Sequence, residues 1–125
     1  MKETVCRADE IEPGGFKGAQ VGPVRVVVVR DYQGQLHALA ANCVHQGGPL
    51  DRGATYEYTK PGRDVGEYQP DYSQCVLKCP WHGFEYDVRT GEVLADPTRA
   101  LQKFRVDEVD GQVVVELSAE TVASA

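Results

Sequence analysis

Apolar positions in this chain fall into short alternating or continuous runs, each stopped by Gly, Pro, Asn or Asp, which is the signature of brief β-strands rather than helices. Val24 to Arg30 and Leu36 to Ala40 flank the turn residues Asp31-Tyr32-Gln33-Gly34, predicting a hairpin. Lys103 to Val109 and Gln112 to Leu117 flank Asp110-Gly111, a dipeptide suited to the positive φ angles of a two-residue turn. Cys75 to Leu77 and Phe84 to Val88 read as short strands, with Arg89-Thr90-Gly91-Glu92 as the next turn. The one helical hint, Ala8 to Glu12, is cut off by Pro13-Gly14-Gly15. The pattern predicts an all-β fold, a small antiparallel sandwich or barrel, with no internal repeat and a loose tail from Ser118 to Ala125.

A chain of 125 residues fits one domain that can bury its own core without disulfide staples. Its net charge of -6 disfavours nucleic acid and anionic membranes as partners and points to a basic protein surface instead. Met1-Lys2-Glu3-Thr4 leads into charged sequence with no apolar signal core, and the longest apolar run, Val26 to Val29, is far too short to span a bilayer. Four cysteines without an export signal read as thiols or metal ligands in a reducing cytoplasm.

The chemistry lies in two hooks. "CVHQGGPL" places Cys43 two positions from His45, and "CPWHGFEY" places Cys79 three positions from His82; both run into glycine. Two loops that each give one sulfur and one nitrogen can clasp a single inorganic centre. If each hook divides its ligands, one metal receives both thiolates and the other both imidazoles, the division an asymmetric two-iron, two-sulfide cluster requires. The glycines let backbone N–H groups come close to cluster sulfurs. A Cys2His2 zinc site uses the same residue types, and Cys75 offers a further thiolate, but a closed zinc site leaves that fifth ligand unused. Cys75 and Cys6 read as core cysteines, His37 as a partly buried strand histidine, and Trp81 as an apolar wall.

With both hooks present, the chain resembles the Rieske family, whose [2Fe-2S] motif is a Cys-x-His hook followed downstream by Cys-x-x-His. "CVHQGGPLDRG" and "CPWHGFEYDVRTGEVL" are similar to the cluster-binding loops of bacterial Rieske ferredoxins and ring-hydroxylating oxygenases. "ADEIEPGGFKGAQVG", Val24 to Val29 and "FRVDEVDGQVVVEL" sit where that family places its framework. The resemblance implies a Rieske domain over residues 1–117, with a cluster-binding part of two loops over about 41–96. It also implies ligands Cys43, His45, Cys79 and His82. The cysteines would hold the buried ferric iron, and the histidines the outer iron that reduces.

Two departures carry information. The respiratory-chain members tie their two loops with a disulfide; here the matching positions fall at Gln46-Gly47-Gly48 and Pro80-Trp81, so that bond is absent. Those proteins also place a serine donor after the second hook's glycine, where this chain has Phe84, although Tyr86 keeps a family position. The second departure is length: 33 residues separate His45 from Cys79, and the excess over about 52–74 carries Tyr56, Tyr58, Tyr68 and Tyr72. This insertion reads as a surface hairpin with Pro61-Gly62 at its tip, whose tyrosines could shape a docking surface.

Elimination narrows the activity. A mononuclear oxygenase iron needs two more histidines and a carboxylate, but of three histidines the hooks take two, leaving His37. Gly14-Gly15 and Gly47-Gly48 lack the remainder of a dinucleotide fingerprint. The reading is therefore a non-enzymatic, monomeric Rieske-type ferredoxin of the cytoplasm. It would carry single electrons from a flavin-containing or other reductase to a terminal oxygenase, with acidic charge around its tip steering a basic partner. The alternatives are a small subunit fixed in a nitrite-reductase-like complex, or a redox sensor. Because Phe84 removes a hydrogen bond to cluster sulfur, redox titration is expected to place the midpoint below zero, near the lower end of the roughly -150 to +300 mV Rieske range; a clearly positive value contradicts this.

Overall fold

The computed structural model describes residues 2–42, 50–61, 68–80 and 83–117, with the side chains of 56–61, 68–74 and 97 left aside. In chain order the strands are β1 (Lys2–Arg7), β2 (Phe16–Val21), β3 (Val24–Arg30), β4 (Leu36–Ala40), β5 (Ala54–Pro61) and β6 (Tyr68–Lys78). They continue as β7 (Glu85–Asp87), β8 (Glu92–Val93), β9 (Asp96–Ala100), β10 (Lys103–Val109) and β11 (Gln112–Glu116). No α-helix occurs among the described residues. The helical hint at Ala8 contracts to a 3-10 turn, Ala8–Glu10, because Ile11 returns to extended backbone and buries its side chain. A second such turn spans Leu50–Arg52. The expected tail, 118–125, lies outside the described residues.

All pairing is antiparallel. Six strands form one sheet in the order β1-β11-β10-β4-β3-β2, and β5-β6-β7-β8-β9 form a second. The first sheet curls until β1 lies beside β2, where the Gly22 N–H donates to Glu3 Oε2 at 3.2 Å, so the sheet is nearly a closed barrel. Both predicted hairpins form: β3 pairs with β4 through Val29 and His37, and β10 with β11 through Val109 and Gln112. At the second turn Asp110 has φ 51° and Gly111 φ 76°, the paired positive angles that the dipeptide was expected to supply.

The insertion is a hairpin in its arms: β5 pairs with β6 from Ala54↔Lys78 to Pro61↔Tyr68, while its tip, 62–67, lies outside the described residues. Glu57 faces Cys75 and the next residue, Tyr58, faces Asp71, so residues 72–74 are an extra stretch on β6, a bulge that bends the arm.

The run Val26 to Val29 is continuous because β3 is covered on both sides. Val26 and Val28 point into the barrel with Ala38, Phe104, Val113 and Val115, whereas Val27 and Val29 join Leu39, Leu50, Cys75, Leu77, Tyr86 and Val88 between the sheets. Each of the four valines has 0% exposure, so alternate residues of one strand build two cores.

One polar link reaches into this packing. Asp31 is 4% and His37 8% exposed; the His37 Nε2–H donates to Asp31 Oδ2 at 2.8 Å, and Asp31 Oδ1 accepts the N–H groups of Gln33 and Gln35, each at 2.9 Å. Lys103 Nζ donates to His37 Nδ1 at 3.3 Å and to the Arg89 carbonyl, joining β10 to the turn after β7. Burial pushes the Asp31 carboxyl up, but the bonds from His37, Gln35 and Gln33 outweigh it and hold the group below its ordinary 3.8. A depressed folded value stabilises the fold above 3.8 and loses that contribution as pH falls through the folded value. Asp31→Asn is therefore expected to cost about 1–3 kcal/mol at neutral pH. Urea unfolding should show its gap from wild type narrowing as pH falls from 7 toward 3, and a gap that ignores pH contradicts this account.

Candidate metal centre

Of the four expected ligands, Cys79 is among the described residues, and Cys43, His45 and His82, like Trp81, lie outside them. Cys79 follows the last residue of β6 and is 1% exposed, packed in the inter-sheet core with Leu77 and Tyr86. Its N–H donates to the Phe84 carbonyl at 2.8 Å, which holds the two ends of this hook together as a turn. Gly83 completes that turn with φ 70°, a left-handed angle that side chains disfavour. Phe84 packs against the core and Tyr86 is fully buried behind it.

The other hook is anchored in the same way. The Ala41 N–H donates to the Arg25 carbonyl at 3.0 Å, and the Leu50 N–H to the Ala41 carbonyl at 2.8 Å, so the residues that flank this hook, Ala41 and Leu50, are tied to each other and to β3. Ala41, Leu50 and Cys79 all belong to the inter-sheet core. The flanks of two hooks far apart in sequence therefore meet at one patch.

Gly53 sets how closely they approach. A Cβ at Gly53 would collide with the Lys78 carbonyl oxygen, since the chain leaving the first loop runs against the end of β6 one residue before Cys79. Beside this contact is an open depression of about 440 Å³, lined by Arg52, Gly53, Ala54, Lys78, Cys79, Pro80 and Gly83. The charged residues of that lining are Arg52 and Lys78, both exposed.

Cys75 takes no part. Four residues of extended chain separate it from Cys79, roughly 13 Å, too far to share one metal. Burial pushes its thiol up to about 12, with the Asp31 and Asp87 carboxylates adding to the shift, so it stays protonated. Its 0% exposure matches the core role expected for it, whereas Cys6 is only partly buried at the margin of the barrel core. His37 is engaged by Asp31 and Lys103. Sequence reasoning missed Gly53 and Lys78: the sole signal for the first is a glycine after Leu50-Asp51-Arg52, and nothing in the sequence marked the second.

The turn at Cys79, the anchored exit and return of the first loop, and the steric need for Gly53 fit a small centre held between two loops by mixed sulfur and nitrogen donors. A family profile for the Rieske [2Fe-2S] domain matches residues 2–105. Mouse (Mus musculus) apoptosis-inducing factor 3 is 28% identical over 123 residues, 98% of this chain and 17% of that protein. The chain thus spans about a sixth of that relative's length. A chain from the complex of reduced oxygenase and oxidized ferredoxin in carbazole 1,9a-dioxygenase superposes with a TM-score of 0.68 at 26% identity, covering 94% of this chain and 97% of that one. The chain assigned as the small subunit of NADH-dependent nitrite reductase from Mycobacterium tuberculosis superposes with a TM-score of 0.75 at 20% identity, covering 95% and 96%, a likeness of fold.

Gly53→Ala is expected to force the two loops apart, at a cost of about 1–3 kcal/mol. Thermal unfolding should show a clear fall in midpoint together with less colour per mole of purified protein; unchanged values for both would remove Gly53 from the site.

Proposed function

The chain belongs to the Rieske [2Fe-2S] domain family, and from that premise we propose that it is a one-electron carrier whose cluster is held by Cys43, His45, Cys79 and His82. The observation that carries this reading is the shared footing of the two hook loops, closed by the Leu50–Ala41 and Cys79–Phe84 hydrogen bonds on one core. Rieske domains bind their cluster with two cysteines and two histidines, and the sequence offers one such pair in each loop.

When bound, the cluster takes up and releases a single electron. The chain supplies the surroundings. Core packing at Cys79 keeps water from the sulfur side, while the Gly83 turn keeps the backbone close to that residue. Buried Tyr86 and half-buried Phe84 give the turn a rigid apolar backing, which limits the reorganisation that accompanies a change of charge.

The likeness to a chain of the carbazole dioxygenase complex supports a terminal oxygenase as electron acceptor, and a flavin-containing or other reductase is the donor in this reading. No bond-making site is assigned to the chain itself. Among the described residues no helix is long and apolar enough to cross a membrane, and the carrier is read as a monomer working in the cytoplasm.

The test is spectroscopic. The dithionite-reduced protein is expected to give an EPR signal with the low average g value of mixed His/Cys ligation, and Cys79→Ser or His82→Ala should abolish it. A colourless protein, or one that carries zinc after anaerobic purification, would defeat the proposal. Co-elution with one large partner through size exclusion would assign it instead to a fixed subunit.

A further inference from the structure

We propose that the face around the two hook loops docks a protein surface rich in Asp and Glu carboxylates, although the chain as a whole carries a net charge of -6. This deepens the carrier reading and rests on it, because it names the chemistry of the surface with which the electron is exchanged.

The loops themselves set no sign. Residues 43–50 and 79–84 contain no Asp, Glu, Lys or Arg, so the field at this end comes from the residues that border them. Directly after the first loop come Asp51 and Arg52. The Asp51 carboxylate is spent inward: it accepts from Arg25 at 2.8 Å, and its side chain is 14% exposed. Arg52 is exposed and has no carboxylate partner among the described residues. Directly before the second loop, Lys78 is exposed and likewise without a carboxylate partner among the described residues. Its Cε lies 3.2 Å from where a Cβ on Gly83 would stand, which lays the ammonium stem across the turn that carries Cys79.

A third cation stands nearby. Arg99 places its guanidinium carbon 5.7 Å from the centroid of the Phe84 ring, at the end of the same turn. Among the described residues two carboxylates stand near these charges: Asp96, held by the Thr98 N–H at 3.2 Å and the Thr98 hydroxyl at 2.5 Å and also acted on by the Arg99 charge, and half-buried Glu85.

Among the described residues, exposed carboxylates gather on the β10–β11 hairpin, at Asp107, Glu108 and Asp110, and at Glu3, Asp9 and Glu10 in the first strand and the turn after it; of these, Asp107, Glu108, Asp9 and Glu10 pair with arginines or Lys17. Distance decides which group a partner meets. At physiological ionic strength a charge is screened over about 8 Å. A protein in contact with this face therefore responds first to Arg52 and Lys78, and the β10–β11 hairpin contributes little. Local complementarity of this kind governs encounter rate and docking register.

Two redox proteins of opposite charge test this at about 0.15 M ionic strength. An acidic flavodoxin hydroquinone anion gives one electron to the oxidised cluster and becomes the neutral semiquinone. A basic ferric cytochrome c takes one electron from the reduced cluster. Arg52→Glu/Lys78→Glu is expected to slow the bimolecular reaction with flavodoxin about tenfold and to speed that with cytochrome c. Asp107→Lys on the far hairpin should leave both rates within about twofold. The EPR signal and midpoint of each variant are measured alongside, so that a change in driving force is told apart from a change in docking.

A flavodoxin rate within twofold of wild type in the double variant overturns the inference, as does an equal loss with both probes, which marks a damaged turn. A wild-type protein that binds no cluster overturns the carrier reading and this inference with it. Intact spectra with an unchanged flavodoxin rate overturn this inference alone.

Discussion

Everything at the hook loops depends on one strand being buried on both faces. β3 sends Val26 and Val28 into the barrel and Val27 and Val29 into the space between the sheets, so barrel and second sheet share a wall. Dispersion contacts in such a wall are individually weak and collectively stiff, because a close-packed interior has no slack to absorb displacement. Ala41 and Leu50 pack against the same inter-sheet core as Cys79. The two loops are therefore referred to one rigid body, although the β5–β6 hairpin intervenes between them in sequence.

This explains why a long insertion is compatible with the site. The extra residues extend β5 and β6 outward from the pairing of Ala54 with Lys78, and the bulge at 72–74 absorbs the mismatch beyond Cys75. Between Cys75 and Cys79 the strand keeps its register with β7, from Val76↔Asp87 to Lys78↔Glu85. The length added upstream is thus not transmitted to the turn at Cys79.

The parts of the fold legible in the sequence are those that local chemistry decides. Asp110-Gly111 dictates its turn through backbone angles alone, and the valines of β3 advertise their burial. The strands that escaped are edge or near-edge elements. β2 is an edge of the first sheet and includes Gly18, and β1, the opposite edge, has an exposed and half-buried pattern without clear alternation. β9, an edge of the second sheet, contains Pro97, which breaks a central strand but is tolerated where one side needs no partner. The family was legible because the Cys and His spacing of the two hooks is a property of the sequence. The contact of Gly53 with Lys78 was not, since it joins two segments whose adjacency only the folded sheet creates. Surface charge is not legible for a similar reason: a net value is one number, whereas the sign of a surface depends on which carboxylates, such as Asp51, are turned inward to a partner.

The pairing of β1 with β11, from Lys2↔Glu116 to Arg7↔Gln112, sets the order in which the molecule can be completed. During synthesis the first strand leaves the ribosome long before the strand that will lie against it. Its edge stays open while the two internal hairpins, β3–β4 and β10–β11, can each zip from their own turns. Closure of the barrel is consequently a late, long-range event, and a nascent chain stalled before Gln112 would expose an unpaired strand of the kind that chaperones recognise.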